Sequence, residues 1–297
     1  MCTSDKYADH TLPTHEDWAR VQSGKKWFPP NCKTYPQQFP TLWADKKPTA
    51  MFRGGTTGCG VSITTNPRLA LAHLSSITPV PADGIPYLDA GVTKWNIRPR
   101  KVQGEKYLTT IDPKAMPFGL ASELTSEEQS KYKYIINVDG HVAAFRLSLE
   151  LNMGSVILMI DSSWKIWYRD MLEPWIHYIP VKKDMSDLID QIKWCRDNDE
   201  KCEQIAQNAR DFYIKYLQED GILDYTQKLL VDLKIETGLY LYNKTTPLNL
   251  LVSDEFKSLT YKYPETTQLT TSIHTIPSSS RNYGLLKGVE WVVNMSI

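Results

Sequence analysis

The sequence predicts an α/β fold built on parallel sheet, and three observations predict it. Short apolar runs of the kind that form buried strands recur at 49–53, 87–92, 134–138, 155–160 and 176–181. Segments with helical periodicity follow several of them, so the two periods alternate along the chain. Glycine and proline punctuate the joins. Strands alternating with helices imply parallel strands with covered faces, as in Rossmann-type sheets.

Each element has its own justification. Residues 1–48 hold Pro, Trp, Lys and polar residues with little periodicity, and read as loops and short helices. Thr49 to Arg53 is strand-like and ends in the glycine-rich loop Gly54–Gly60. Asn66-Pro67 reads as a helix start, with Pro67 at the first helical position and Leu69, Leu71 and Leu74 on the apolar side. Residues 77–125 are broken by Pro and Gly around short strands such as 87–92. Tyr134 to Val138 is a buried-strand run, and Asp139-Gly140 is a turn. Val142 to Met153 has helical spacing, with Phe145, Leu149 and Met153 on one stripe, ended by Gly154. Ser155 to Ile160 is a second buried strand, Trp164 to Leu172 a helix, and Ile176 to Val181 a third strand. Amphipathic helices follow at 185–198, 201–217 and 222–235. We therefore expect two lobes, 1–130 and 131–235, with a polar, Thr- and Ser-rich extension at 236–297.

Composition narrows the function. The chain has 297 residues, enough for a substantial core, and its 34 basic residues balance 34 acidic ones. That balance gives no general attraction to nucleic acid or to an anionic membrane. The longest apolar run is too short to cross a bilayer, so no membrane insertion is expected. The start MCTSDKYADH has no signal-peptide pattern, and the five cysteines show no CxxC pair. The expectation is a cytoplasmic protein with reduced thiols.

In parallel α/β sheets, ligands sit beyond the carboxyl ends of strands. The segment Asn137 to Arg146 fits that place: a strand, a glycine turn, then a helix start, with Arg146 as a forked cationic donor for a phosphate or as a surface ion-pair partner. The Gly54–Gly60 loop lacks the GK[ST] ending of a P-loop. It reads as a plain turn or as a second phosphate cradle, with Arg53 and Arg68 nearby. Asp197-Asn-Asp199 matches a metal-chelating DxD pattern but falls in a charge-rich helix end, so no metal is expected.

Phe52-Arg-Gly-Gly55, then YKYIINVDGHVAAFRLSLELNMGSVIL, EPWIHYIPVKKDMSDLIDQIKWCRDND and EQIAQNARDF, recur in this order and spacing in one family. The chain resembles the CAP10-type glycosyltransferases, family 90, which includes protein O-glucosyltransferases and capsule xylosyltransferases. It is most similar to short members encoded by large DNA viruses, whose location would be the host cytoplasm. The resemblance implies a GT-B fold, two Rossmann-like lobes facing across a cleft, and an inverting, metal-independent reaction. The donor would be a UDP-sugar, xylose before glucose, and the acceptor a hydroxyl of a glycan or glycoprotein.

Carried over by position, Arg146 contacts the diphosphate, with Gly140, Val142, Ala143, Ala144 and Phe145 around it. Arg53, Gly54, Gly55, Thr56 and Arg68 would add donor contacts from the first loop. Thr56 stands where cellular members often carry arginine. Ser162, Ser163 and Trp164 would lie near the donor, and His177, Tyr178 and Pro180 would line the nucleotide pocket. The family's base is an aspartate four residues before a proline, a spacing kept by Asp9 and Pro13. Trp18 falls later than the pattern expects, which leaves Asp17 as the rival base. Two other classes stay open: a non-catalytic glycan- or nucleotide-binding module, and a nucleoside-diphosphate-sugar hydrolase.

Overall fold

The computed structural model describes residues 2–4, 6, 9–21, 39, 41–102, 104 and 106–237. In chain order the elements are β1 (Thr3–Ser4), α1 (His15–Val21), β2 (Lys47–Gly55), α2 (Pro67–Ile77), β3 (Leu88–Lys94), α3 (Ser126–Gln129) and β4 (Tyr132–Asn137). There follow α4 (Leu147–Asn152), β5 (Val156–Ile160), β6 (Trp164–Lys165), β7 (Ile179–Val181), α5 (Leu188–Asp197), α6 (Asp199–Tyr216) and α7 (Glu219–Thr237). The chain divides into two units, Met1–Leu223 and Asp224–Ile297. The described part of the second, 224–237, is helical, and the extension beyond Thr237 lies outside the described residues.

The first unit is built on a five-stranded sheet of order β3-β2-β4-β5-β7, parallel throughout. The runs that form its centre are buried end to end, all six residues of β4 and all five of β5. Such unbroken apolar strands suit a sheet covered on both faces. The apolar cluster joins Phe52, Tyr134, Ile136, Leu158 and Ile179 to Ile192 and Ile205 of α5 and α6.

The expected α/β class and parallel sheet are present. The boundary expected near Ser130 falls inside this sheet. Strand β2 bonds to β3 on one side and to β4 on the other, so chain from both sides of Ser130 shares one layer. This order, second strand first, makes a topological switch point between β2 and β4. There the connections leave in opposite directions and open a crevice at the carboxyl ends.

Two helices differ from expectation. The helix expected at 164–172 is absent: Trp164–Lys165 pairs antiparallel with Thr3–Ser4, and Arg169–Met171 forms one 3₁₀ turn. Ile166, Trp167 and Tyr168 are consecutive and all buried, which no one-sided surface helix allows. Helix α4 starts at Leu147 rather than Val142, with Arg146 at its N-cap. The Asp139 carboxylate accepts from the Ala144 N–H at 2.9 Å and holds 139–144 as a turn instead.

Candidate functional site

Three pieces of chain meet at the switch point: the loop after β2, the first turn of α2, and the turn after β4. Helix α2 is placed by its cap. Asn66 Oδ1 accepts from the N–H groups of Arg68 and Leu69, while Asn66 Nδ2 donates to Thr56 O and Gly60 O. One buried side chain thus fixes both helix and loop. Because these helix-end donors are already capped, anion recognition here falls to side chains.

Arg68, in that first turn, spans the crevice. Its Nε donates to Asp139 O at 3.0 Å and its Nη2 to Val138 O at 3.1 Å. Nη1 donates to Gly55 O at 3.1 Å and Thr57 Oγ1 at 2.7 Å. All four acceptors are neutral oxygens, so the positive charge has no carboxylate in direct contact. Burial first, then the neighbouring charge of Arg146, pushes its pKa down to about 10.

Arg146 enters from the other side. It donates from Nη1 to Arg53 O at 2.5 Å, pairs through Nε with Glu150 at 2.8 Å, and lies 4.9 Å over the Phe52 ring. Its side chain is 28% exposed, whereas Glu150 is 1% exposed. Burial raises the Glu150 pKa, opposed by Arg146 and by the Asn137 amide, which donates to Glu150 Oε2 at 2.7 Å. Among the described residues, the polar contacts of the Arg146 guanidinium run through Nη1 and Nε. Arg68 also lies over Phe52, at 5.6 Å.

Glycines make this approach possible. A Cβ at Gly140 would meet Thr57 Oγ1 at 2.7 Å, and one at Gly60, where φ is +91°, would meet Thr65 O. Asp139 closes the back of the site: Ser162 Oγ donates to its Oδ2, and burial raises its pKa. Arg169 donates to Tyr178 Oη at 3.1 Å and lies 4.8 Å over that ring, within electrostatic reach of Asp139. Arg100 donates to Gly58 O at 2.7 Å and Gly60 O at 3.1 Å and straps the loop from outside. His141 is exposed, and burial and then Arg100 lower its pKa.

The structure thus gathers Arg146, Arg68, Gly54, Gly55, Gly140, Ala144 and Ser162. It turns two expected donor contacts elsewhere. Arg53 is committed to Asp89, with contacts at 2.5 and 2.6 Å, and to the carbonyls of Phe52 and Ser122. Thr56 is fully buried, its hydroxyl donating to Lys94 O and accepting from Asn96 N. Val142, Ala143 and Phe145 lie on the 139–146 turn, and Phe145 meets His15 edge-on at 6.5 Å. Ser163 is exposed and Trp164 starts β6. His177 and Tyr178 precede β7 rather than follow it. His177 Nδ1 accepts from Glu173 N, and Pro180 sits within the strand opposite Met159.

The two candidate bases differ sharply. Asp17 is buried and accepts from Thr14 N at 2.6 Å, Thr14 Oγ1 at 2.8 Å and Trp167 Nε1 at 2.8 Å. It answers the N-cap Thr14 from the first turn of α1, and through Trp167 anchors that helix to the core. Asp9 is exposed. Along the chain, contacts flank it on either side: Ser4 pairs with Trp164 and His15 meets Phe145. Asp199, from the DxD decoy, accepts from Lys133 and from Trp43. No helix among the described residues is long and apolar enough to cross a membrane.

Asp139, Asn66, Arg100 and Arg169 are the site residues that sequence reading missed. Asp139-Gly140 had registered only as a turn, and Asn66 only as a helix start.

Comparison with known proteins shows the family. The model of glycosyl transferase family 90 matches residues 1–234. The uncharacterized protein 179R of Invertebrate iridescent virus 6 is 49% identical over 87% of this chain, which spans 24% of that protein. Protein O-glucosyltransferase 1 of Rattus norvegicus is 30% identical over 64% of this chain and 42% of its own length. A solved structure of Anabaena Alr3699/HepE with UDP-glucose covers 65% of this chain and 50% of its own, at 10% identity and a TM-score of 0.37. The chain spans about a quarter of the length of the viral relative.

Proposed function

The chain belongs to glycosyl transferase family 90, and from that premise we propose that it moves a sugar from a UDP-sugar to a hydroxyl of a glycan or protein. The observation that carries the reading is the meeting of Arg68 and Arg146 at the switch point. Two guanidiniums, one without a carboxylate partner, converge where α/β sheets bind ligands. A diphosphate is a dianionic ligand for such a pair, and forked guanidinium contacts suit phosphate oxygens.

In this reading the described sheet is the donor-binding lobe of a GT-B arrangement. Arg146 and Arg68 hold the diphosphate and stabilise the charge that develops on it as it leaves. Asp9 takes the proton of the acceptor hydroxyl. The acceptor oxygen then forms its bond to the anomeric carbon from the face opposite the diphosphate, the carbon–oxygen bond to UDP breaks with its electron pair, and the configuration inverts. General base catalysis of this kind contributes roughly 10²–10⁴-fold. In this reading the two guanidiniums take the charge-stabilising role, and no metal is assigned one. Of the two donors expected from sequence, UDP-glucose gains support from the O-glucosyltransferase relatives.

The test is UDP release by the purified chain against a panel of nucleotide sugars, with and without EDTA. Release from one UDP-sugar, unchanged by EDTA and lost in Asp9→Asn and Arg146→Ala, supports the reading. Absence of both release and UDP binding would sink it.

A further inference from the structure

We propose that the described residues of the hairpin closed by Arg100 and Thr109, 96–102, 104 and 106–110, standing beside the crevice, are a docking surface for an acidic polypeptide that also carries apolar side chains. Naming that polypeptide as the acceptor rests on the transferase reading; the docking itself does not.

The hairpin is closed by a reciprocal backbone pair, Arg100 N to Thr109 O at 2.9 Å and Thr109 N to Arg100 O at 3.0 Å. Three large apolar side chains stand out to solvent on it beside basic ones: Ile97, Tyr107 and Leu108 are 61%, 71% and 62% exposed. Clustered exposed apolar side chains of this kind mark interaction sites more often than solvent-facing loops.

Charge selects the partner. Residues 94–106 hold five basic side chains (Lys94, Arg98, Arg100, Lys101 and Lys106) against one acidic, Glu105, in a chain whose charges otherwise balance. Lys94, Arg98 and Lys106 are exposed, and the Lys106 ammonium lies 5.3 Å over the Tyr107 ring. A positive surface attracts carboxylates and steers their approach. The aliphatic Ile97 and Leu108 favour a polypeptide over a nucleic acid, which would offer phosphates and base faces but few aliphatic partners.

Position ties the surface to the crevice. Arg100, at the root of the hairpin, donates to Asn96 O within it and to Gly58 O and Gly60 O of the loop after β2. A polypeptide lying on the hairpin therefore lies next to the site where the donor would sit.

The experiment uses the full chain and fluorescence anisotropy at low and high salt. The probes are a labelled peptide of alternating glutamate and leucine, the same peptide with glutamine for glutamate, and an oligouridylate. The acidic peptide should bind, weaken with salt, and lose about tenfold or more in affinity in Arg98→Glu/Lys106→Glu and in Tyr107→Ser/Leu108→Ser. Melting temperature checks the fold, and the single substitutions Lys106→Glu and Leu108→Ser carry the same test where a double variant melts early. Equal binding of the glutamine peptide, tighter binding of the oligouridylate, or unchanged affinity in the variants would overturn the proposal. UDP affinity is measured alongside. Peptide binding without UDP binding leaves the surface standing and removes the transferase reading, and the reverse result separates them the other way.

Discussion

Arg68 and Arg146 approach Gly54 from two sides: a Cβ built on Gly54 would lie 3.5 Å from the Nη1 of each and 3.0 Å from Phe52 Cζ. We expect Gly54→Ala to push aside the Phe52 ring, over which both guanidiniums lie, and through it to weaken UDP binding by about tenfold. Calorimetry would check this, and an unchanged affinity would show that the diphosphate does not use this gap.

Arg146 has a structural partner as well as a proposed ligand, and the two roles separate by a double substitution. Arg146→Ala strands the buried Glu150 and should cost about 2 kcal/mol of stability. Adding Glu150→Gln removes the stranded charge and should restore the melting temperature. UDP binding should stay lost in both proteins. Recovery of binding along with stability would mean that Arg146 acts only through the fold.

Lys46 gives a pH dependence whose sign is fixed by geometry. Its ammonium is buried and donates to Ser130 O, to Met153 O at 2.9 Å and to Ser155 Oγ at 3.1 Å. Burial pushes its pKa down to about 8 from 10.5. Between these values the unfolded chain binds more protons than the folded one, so this group makes stability rise as pH climbs from about 8 towards 10.5. Burial and the neighbouring Cys202 raise the Cys195 thiol, which acts in the opposite sense at alkaline pH. The difference between wild type and Lys46→Met in denaturant melts isolates the lysine, and it should grow in favour of wild type with pH. A flat difference would count against a desolvated ammonium.

The two aspartates proposed for the base predict opposite phenotypes. Asp17→Ala removes three accepted hydrogen bonds, two of them from the N-cap residue Thr14, and should destabilise by about 2 kcal/mol. Asp9→Asn should leave the melting temperature unchanged, keep UDP affinity and abolish turnover. Turnover surviving in Asp9→Asn would remove Asp9 as the base.

Local features of the site were legible in the sequence, and their meeting was not. The Asn66-Pro67 start, the glycine loop and the turn before Arg146 each carry a local chemical signature. Parallel pairing of Met51 with Ile135 joins strands more than 80 residues apart and leaves no local trace, which is why the loop and the turn were assigned to separate lobes. Thr56 is hidden for a similar reason: its hydroxyl turns inward to Lys94 and Asn96, residues of the edge strand's exit. Asp17 was within reach, because Thr14 and Asp17 have capping-box spacing.

Arg68 bonds to Gly55, Thr57, Val138 and Asp139, oxygens from stretches that enter the chain some 80 residues apart. During synthesis the arginine is therefore made long before two of its four acceptors, Val138 and Asp139, exist. An emerging chain with β2 and α2 in place holds only half of the cradle, and under the proposed function nucleotide affinity would arise when β4 docks. Ligand binding would then serve as a clock for folding: the moment at which UDP first protects the nascent chain would mark the closing of the central sheet.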